Sequence, residues 1–216
     1  MSLENHYLAA FEQLLAHFGP QRWWPAETPL EMMVGAILTQ NTSWSNVEKA
    51  IRNLREADLL SYPALSACPA TELAGHIRPA GYYNLKAQRL LNLCAMLDHC
   101  YQGSLEAFLG DEQFSSRENL LAVRGIGPET ADSILLYACG HPVFVVDMYT
   151  HRVFSRHNLL DEETDYLTIQ QTFVDHLPVD TALYNEYHAL IVRVATQYCK
   201  KSRPRCELCP LQNVNR

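Results

Sequence analysis

Apolar side chains recur at the spacing of an α-helix along most of this chain. Over residues 4–18, six of them fall on one helical face. The segment 29–40 is almost wholly apolar, which indicates a helix buried on most sides. One short run, Val143–Val146, resembles a strand, but it has no partner in the sequence and is expected to be a buried extended connector. The pattern predicts an all-α fold of about ten helices.

The composition agrees with a folded helical protein. The 216 residues are 48% hydrophobic and 19% charged, which excludes a disordered chain. No apolar run reaches about 18 residues, so we expect no membrane span. The first residues lack the basic and apolar regions of a secretory signal and are expected to form a mature amphipathic helix.

The net charge of −7 taken alone argues against nucleic-acid binding. The basic residues are, however, unevenly placed. Lys200, Lys201, Arg203 and Arg205 lie within six positions near the C-terminus. This segment could lie against phosphates, or it could be a solvated basic tail.

The sharpest local pattern is Leu120–Leu135, which contains Gly-Ile-Gly-Pro-Glu-Thr-Ala. An apolar helix ends at Arg124, a tight turn follows in which Gly125 and Gly127 can both adopt positive φ, and Pro128 begins a second helix. Such a turn presents backbone N–H groups at a helix N-terminus, where a phosphate can bind. The alternative is a plain corner between two helices.

Asp147 follows two valines and precedes a helical segment. Taken alone, this position is typical of a helix N-cap. The hairpin and Asp147 together give the pattern G-I-G-P-E-T-A followed by V-V-D-x-x-x-x-R-V. That combination resembles the helix–hairpin–helix DNA glycosylase superfamily (HhH-GPD), in its endonuclease III branch.

Three further stretches carry the same resemblance. Ala36–Thr42 is similar to the base-flipping helix and loop of the family, and Ile77–Ala87 is similar to its helix-linking segment. The spacing Cys199-x6-Cys206-x2-Cys209 resembles the start of its cluster loop. The similarity extends from roughly residue 22 to residue 215, nearly the whole chain.

The resemblance implies two helical lobes. A six-helix barrel over residues 25–133 would end in the hairpin, and residues 1–24 with 134–216 would form a terminal lobe. The terminal lobe would carry Asp147 and the cysteine loop, and the DNA cleft would lie between the lobes. The partner would be double-stranded DNA with a damaged base. We expect a monomer acting in the cytoplasm at the bacterial nucleoid.

The resemblance also assigns roles to single residues. Asp147 would stabilise an oxocarbenium-like transition state beside a flipped nucleotide. Gln40 and Asn41 would approach the substrate, Gln40 filling the gap left by the flipped base or, alternatively, capping its helix. The residues expected to hold the DNA backbone are Gly125, Gly127 and Thr130 of the hairpin, together with Lys200, Arg203 and Arg205.

The chain departs from the family at the position of the lyase amine. Endonuclease III-type lyases carry a lysine where this chain has Glu129, and a carboxylate cannot form a Schiff base. We therefore expect a monofunctional glycosylase that leaves an abasic site. Lys86 and Lys200 are conceivable substitutes, but neither matches the motif.

Aromatic residues flank the apolar segment 29–40. Trp24-Pro25 precedes it and Trp44 follows it. One of these rings could simply be a hydrophobic staple, but the pattern resembles the 3-methyladenine glycosylases of the endonuclease III type, in which aromatic and proline faces sandwich the alkylated base. The face of a tryptophan attracts a cationic base by roughly 0.5–2 kcal/mol. We expect this pocket to offer few hydrogen-bonding groups.

The cysteine loop suggests a metal centre. Cys199, Cys206 and Cys209 keep the spacing of a [4Fe–4S]-type iron–sulfur cluster, but Asn215 stands where the family has its fourth cysteine. The cluster could use another ligand, lose one iron or be absent. A zinc site and three structural thiols are the alternatives.

Three functions remain open on the sequence alone. The first is a monofunctional glycosylase for alkylated purines such as 3-methyladenine. The second is a glycosylase for a neutral lesion, such as an oxidised pyrimidine or a mismatched base. The third is a non-catalytic hairpin module that only binds DNA, although such a module has no need of Asp147.

Overall fold

The computed structural model describes residues 4–214, and within that range it contains twelve α-helices, two 3₁₀ turns and no strand. The all-α prediction is confirmed. No helix in this range is long and apolar enough to cross a bilayer. The helices are α1 (Glu4–Phe18), α2 (Pro29–Leu38), α3 (Trp44–Glu56), α4 (Tyr62–Ala67), α5 (Ala70–His76), α6 (Tyr83–Tyr101), α7 (Leu105–Leu109), α8 (Gln113–Ala122), α9 (Pro128–Tyr137), α10 (Met148–Arg156), α11 (Tyr166–His176) and α12 (Thr181–Gln197), with 3₁₀ turns at Arg78–Ala80 and Cys206–Leu208.

The chain divides into two compact units. The central unit is Trp24–His141, and the terminal unit combines the residues up to Trp23 with those from Pro142 onward. The expected boundary between residues 133 and 134 falls inside α9. That helix stays whole in the central unit because it packs on α2 and α8.

The central unit is built around α2, which is buried from Leu30 to Leu38. Thr28 caps its start by accepting a hydrogen bond from the Glu31 N–H at 3.1 Å. At its other end, the buried Lys86 ammonium donates to the carbonyls of Leu38 and Ala80, both at 2.8 Å. These bonds satisfy carbonyls that a helix end leaves without partners, so Lys86 fixes the end of α2.

The start of α8 is not marked by a serine cap. The helix begins at Gln113, and Ser115 and Ser116 both lie inside it. The Ser116 hydroxyl donates back to the Glu112 carbonyl at 2.9 Å. Serine makes this bond inside helices as well as capping them, so the sequence did not determine the start.

Aromatic rings fill the core of the terminal unit. Phe144 stacks on Phe173 with ring centroids 4.1 Å apart, and Tyr7 stacks on Phe154 at 5.5 Å. The Tyr187 hydroxyl donates to the Tyr7 carbonyl at 2.7 Å. Residues 143–146 form the predicted buried, extended connector. The core therefore holds the chain immediately before Asp147.

Candidate functional site

Asp147 is the N-cap of α10, as its position in the sequence predicted. Its Oδ1 accepts hydrogen bonds from the Tyr149 N–H at 2.9 Å and the Thr150 N–H at 2.7 Å. The Thr150 hydroxyl donates to the same oxygen at 3.0 Å. Three donors thus hold one oxygen of the carboxylate and fix its orientation.

The second oxygen of Asp147 faces a histidine that the sequence did not single out. His188 Nε2, on α12, lies 3.5 Å from Asp147 Oδ2, and both side chains are 8% exposed. No local pattern links these two residues, because they come from different helices of the terminal unit.

The surroundings of Asp147 act on its pKa in opposite directions. Burial alone would raise the pKa, but the hydrogen bond and charge of His188, with the N–H and O–H of Thr150, bring it below the usual value. Asp147 is therefore an anion at neutral pH and a weak proton acceptor. Such a group suits electrostatic stabilisation of a developing positive charge better than general base catalysis.

Removing His188 should shift the pH dependence of any reaction that needs the Asp147 anion. In the intact protein the anion persists as pH falls below the ordinary range for aspartate, and His188→Ala raises that pKa. We expect the acid limb of the single-turnover rate, measured from about pH 3 to 8, to move to higher pH. His176→Ala, in the same unit, is the control; an unmoved limb in His188→Ala would contradict the coupling.

The predicted hairpin lies between α8 and α9. Gly125 has φ +99°, and a Cβ there would lie 2.6 Å from the Arg89 side chain, so glycine is required. Gly127 has φ −100°, so of the two glycines that can adopt positive φ only Gly125 does so. No side chain caps α9, because Gly127 occupies the N-cap and Pro128 follows it. This end suits an anion.

Gln40 is bonded to this hairpin. Its Nε2 donates to the Gly125 carbonyl at 3.2 Å and the Thr130 hydroxyl at 2.9 Å, and its Oε1 accepts from Arg89. The helix cap expected as the alternative role belongs to Thr39 instead. Asn41 is exposed at φ +54°. Thr130 is 7% exposed and contributes through Gln40.

Trp24, Pro25 and Trp44 line one cavity of about 310 Å³ in the central unit. The rings of Trp24 and Trp44 meet edge to face, with centroids 5.0 Å apart and planes at 87°. A Cβ on Gly35 would lie 3.4 Å from the Trp24 ring, an ordinary contact distance, so the ring packs directly over this position of α2. The cavity volume is at the lower end for ligand pockets.

The expectation that this pocket offers few hydrogen-bonding groups is wrong. Glu31, Glu48, Arg52 and Arg55 also line the cavity. Arg55 donates to both oxygens of Glu31, at 3.0 and 2.9 Å, and Trp44 donates to Glu48 at 2.8 Å. Three of these residues, Glu48, Arg52 and Arg55, lie on α3, and the sequence pattern around the tryptophans does not show that this face of α3 lines the cavity.

The three cysteines of the C-terminal loop surround a second cavity, of about 630 Å³, in the terminal unit. Cys199 and Cys209 are buried and Cys206 is exposed. Burial raises the pKa of the Cys209 thiol, and the neighbouring Cys199 and Cys206 raise it further. His157 lines the same cavity, with Nε2 3.9 Å from Cys209 Sγ. Asn215, the expected fourth position, lies outside the described residues.

No set of three or more His, Cys, Asp or Glu side chains within residues 4–214 converges on a single-ion site. A zinc ion needs all its ligands about 2.0–2.3 Å from one point. The side chains of the three cysteines and His157 line one cavity without meeting at such a point.

Lys200, Arg203 and Arg205 are exposed on the cysteine loop. Arg156 donates to the carbonyls of Lys200 at 2.6 Å and Lys201 at 3.0 Å, which fixes the loop backbone below the basic side chains. Arg156 therefore attaches the first residues of the basic segment to the rest of the terminal unit.

Neither candidate lyase position of the central unit offers a free amine. Glu129 is exposed in the first turn of α9. Lys86 is 1% exposed with its ammonium bonded to two carbonyls, and burial with the nearby Arg89 lowers its pKa to about 8. An amine enclosed in this way cannot reach a sugar carbon.

These features define a class of protein. The sequence profile of the HhH-GPD superfamily base excision DNA repair proteins matches residues 34–178. The chain belongs to this superfamily, in its endonuclease III-like branch, and it is a DNA glycosylase.

Individual proteins similar to this chain are also DNA glycosylases or share their fold. A candidate DNA repair glycosylase of Methanocaldococcus jannaschii is 46% identical over 203 residues, covering 94% of this chain and 92% of its own. The crystal structure of H. pylori 3-methyladenine DNA glycosylase bound to 1,N6-ethenoadenine has a TM-score of 0.78 at 31% identity, covering 91% of this chain and 98% of its own. A trapped endonuclease III–DNA covalent intermediate shares the fold, with a TM-score of 0.84 at 24% identity over 99% of this chain and 96% of its own.

Proposed function

We propose that this protein is a monofunctional DNA glycosylase that removes alkylated purines such as 3-methyladenine from double-stranded DNA. The observation that carries the proposal is the cavity lined jointly by Trp24, Pro25 and Trp44. These residues come from two segments on either side of α2, and their faces and edges form the wall of one site. A flipped base would bind against this wall.

The chemistry of this wall favours a cationic base. An N-alkylated purine carries positive charge, which the face of a tryptophan attracts by about 0.5–2 kcal/mol. Glu48 adds a carboxylate beside Trp44. The H. pylori relative, a 3-methyladenine DNA glycosylase bound to an ethenoadenine, supports a modified purine as the ligand class.

The catalytic group in this proposal is Asp147. An alkylated purine is already a good leaving group, so the main task is to stabilise the positive charge that develops on the sugar. The low-pKa carboxylate, with one oxygen saturated by three donors, meets that need without taking a proton. Oδ2, the oxygen with fewer donors, orients the attacking water.

DNA binding in this proposal uses two groups of residues. In the hairpin, Gly125 shapes the turn, Gly127 leaves the α9 N-terminus uncapped for a phosphate, and Thr130 supports the turn from inside. On the cysteine loop, Lys200, Arg203 and Arg205 contact further phosphates. Gln40 and Asn41, at the end of α2, face the gap left by the flipped base.

The cysteine loop is proposed to hold an iron–sulfur cluster. The three thiols line a cavity large enough for a multi-atom group, and two of them are buried. A bound cluster would supply a rigid cross-link for the loop that carries the basic residues. Arg156, with a guanidinium nitrogen 3.6 Å from Cys199 Sγ, would donate to a thiolate there.

Substitution of the tryptophans tests the substrate class. Trp24→Ala or Trp44→Ala should reduce single-turnover release of 3-methyladenine about two- to thirty-fold, since each ring contributes roughly 0.5–2 kcal/mol to a cationic base. Release from a duplex with an oxidised pyrimidine, which is neutral, should change less. Trp23→Ala is the matched control, because Trp23 is not among the residues that line the cavity. A loss of activity that comes only from lower stability would reduce release of the methylated and of the neutral base alike.

The neutral-lesion alternative has one observation in its favour. Glu48 and Arg52 place hydrogen-bonding groups in the cavity, and such groups can read the edge of an uncharged base. Efficient release of a neutral lesion together with no release of the methylated base would establish this alternative. Binding of lesion DNA without release of any base would instead favour the non-catalytic module.

A further inference from the structure

We propose that His157 supplies the fourth ligand of the iron–sulfur cluster through Nε2, completing a set with the thiolates of Cys199, Cys206 and Cys209. The inference rests on the proposed cluster and assigns the ligand that the sequence spacing leaves open. Imidazole replaces thiolate on iron in other iron–sulfur centres. An asparagine amide has no comparable affinity for iron.

The position of His157 carries the inference. It directly follows α10, and its ring lines the same cavity of about 630 Å³ as the three cysteines. Its Nε2 lies 3.9 Å from Cys209 Sγ, so ring and thiol lie side by side at the wall of the cavity. Ligands of one cluster bind different iron atoms, so the two side chains would turn apart into the cavity when a cluster binds.

The surrounding contacts hold His157 and Cys199 in a fixed relation. Arg152 on α10 donates to the Cys199 carbonyl at 2.8 Å, and the Cys199 N–H donates to Val194 on α12 at 2.9 Å. Arg156, next to His157, donates to the first carbonyls of the loop. The end of α10 and the start of the cysteine loop are therefore braced together, which fixes the backbone from which both side chains reach the cavity.

The ligand set has an electronic consequence. An imidazole is neutral where a thiolate carries a negative charge, so three thiolates and one imidazole leave the centre less negative than four thiolates do. Lower negative charge raises the reduction potential, as in centres where histidine replaces cysteine. We therefore expect His157→Cys to keep the cluster and lower its potential.

The experiment compares wild type, His157→Ala, His157→Cys and His151→Ala, all purified without oxygen. Iron and sulfide are counted, and the reduced centre is examined by pulsed electron paramagnetic resonance with ¹⁵N-histidine labelling. Wild type and His151→Ala should hold about four irons per chain and show a coupled histidine nitrogen. His157→Ala should lose about one iron, and His157→Cys should keep about four and lose the nitrogen coupling.

Two results would overturn the inference in different ways. If wild type holds four irons but shows no nitrogen coupling, and His157→Ala has the same iron content, then His157 is not a ligand although the cluster is present. A wild type without iron and sulfide removes the cluster as well. If His157→Ala does not fold, the nitrogen coupling of wild type and its loss in His157→Cys still show whether His157 is a ligand. Base release, assayed separately, tests the glycosylase proposal independently of these readouts.

Discussion

Replacing Asp147 by asparagine should lower the single-turnover rate of base release by about 10²–10³-fold or more, because the change removes a charge that acts mainly in the transition state. Asparagine is a good N-cap, so its oxygen can still accept from Tyr149 and Thr150. Thermal stability and affinity for lesion DNA should therefore stay close to those of wild type. The measurements are rapid-quench base release, a melting curve and a binding titration.

The chain contains a matched control for this substitution. Asp165 caps α11 with the same spacing, accepting from the Leu167 and Thr168 N–H groups and from the Thr168 hydroxyl. Asp165→Asn changes an equivalent cap in the same unit. We expect near wild-type release from it. Equal losses in the two variants would mean that capping, rather than charge at Asp147, explains the effect.

The second large effect concerns strand cleavage. Wild-type protein should convert its substrate to an abasic duplex whose strand breaks only after hot alkali, and borohydride should trap no covalent adduct. The reason is that the motif position is a carboxylate, Glu129, and the Lys86 ammonium is buried against two carbonyls, so neither can form a Schiff base, while the exposed Lys200 lies outside the motif. Denaturing gels with and without alkali measure this, and a borohydride adduct formed by wild type would contradict it.

Glu129→Lys is a positive control for the same assay. It places an amine at the exposed position in the first turn of α9 that the lyases of this family use. We expect this variant to form a borohydride-trapped adduct. Glu118→Lys, exposed on α8 nearby in sequence, makes the same charge change away from the motif and should form none.

The sequence predicted the features that depend on neighbouring residues. The hairpin follows from Gly125 and Pro128, whose backbone preferences act locally. The N-cap at Asp147 follows from its position before a helix, and the buried α2 from an unbroken apolar run. Each is encoded within about one helical turn, so sequence reasoning can reach it.

The features that the sequence did not predict are contacts between residues far apart in the chain. His188 contacts Asp147, His157 contacts Cys209, and Gln40 contacts the hairpin. A lone histidine or glutamine on a helix has many possible partners, and only the fold selects one. The charged wall contributed by α3 was missed for the same reason.

Gln40 carries a thermodynamic consequence. Its amide holds the Gly125 carbonyl and the Thr130 hydroxyl, and a glutamine that inserts into a duplex must release both. Insertion and the conformation of the hairpin then share one set of hydrogen bonds, so their free energies are coupled, and the coupling is reciprocal. In the proposed complex, phosphate bound at the hairpin would alter how readily Gln40 leaves, and a lesion that holds Gln40 in the duplex would alter the phosphate affinity of the hairpin to the same extent. A search along undamaged DNA and arrest at damage would then be two states of a single linked equilibrium.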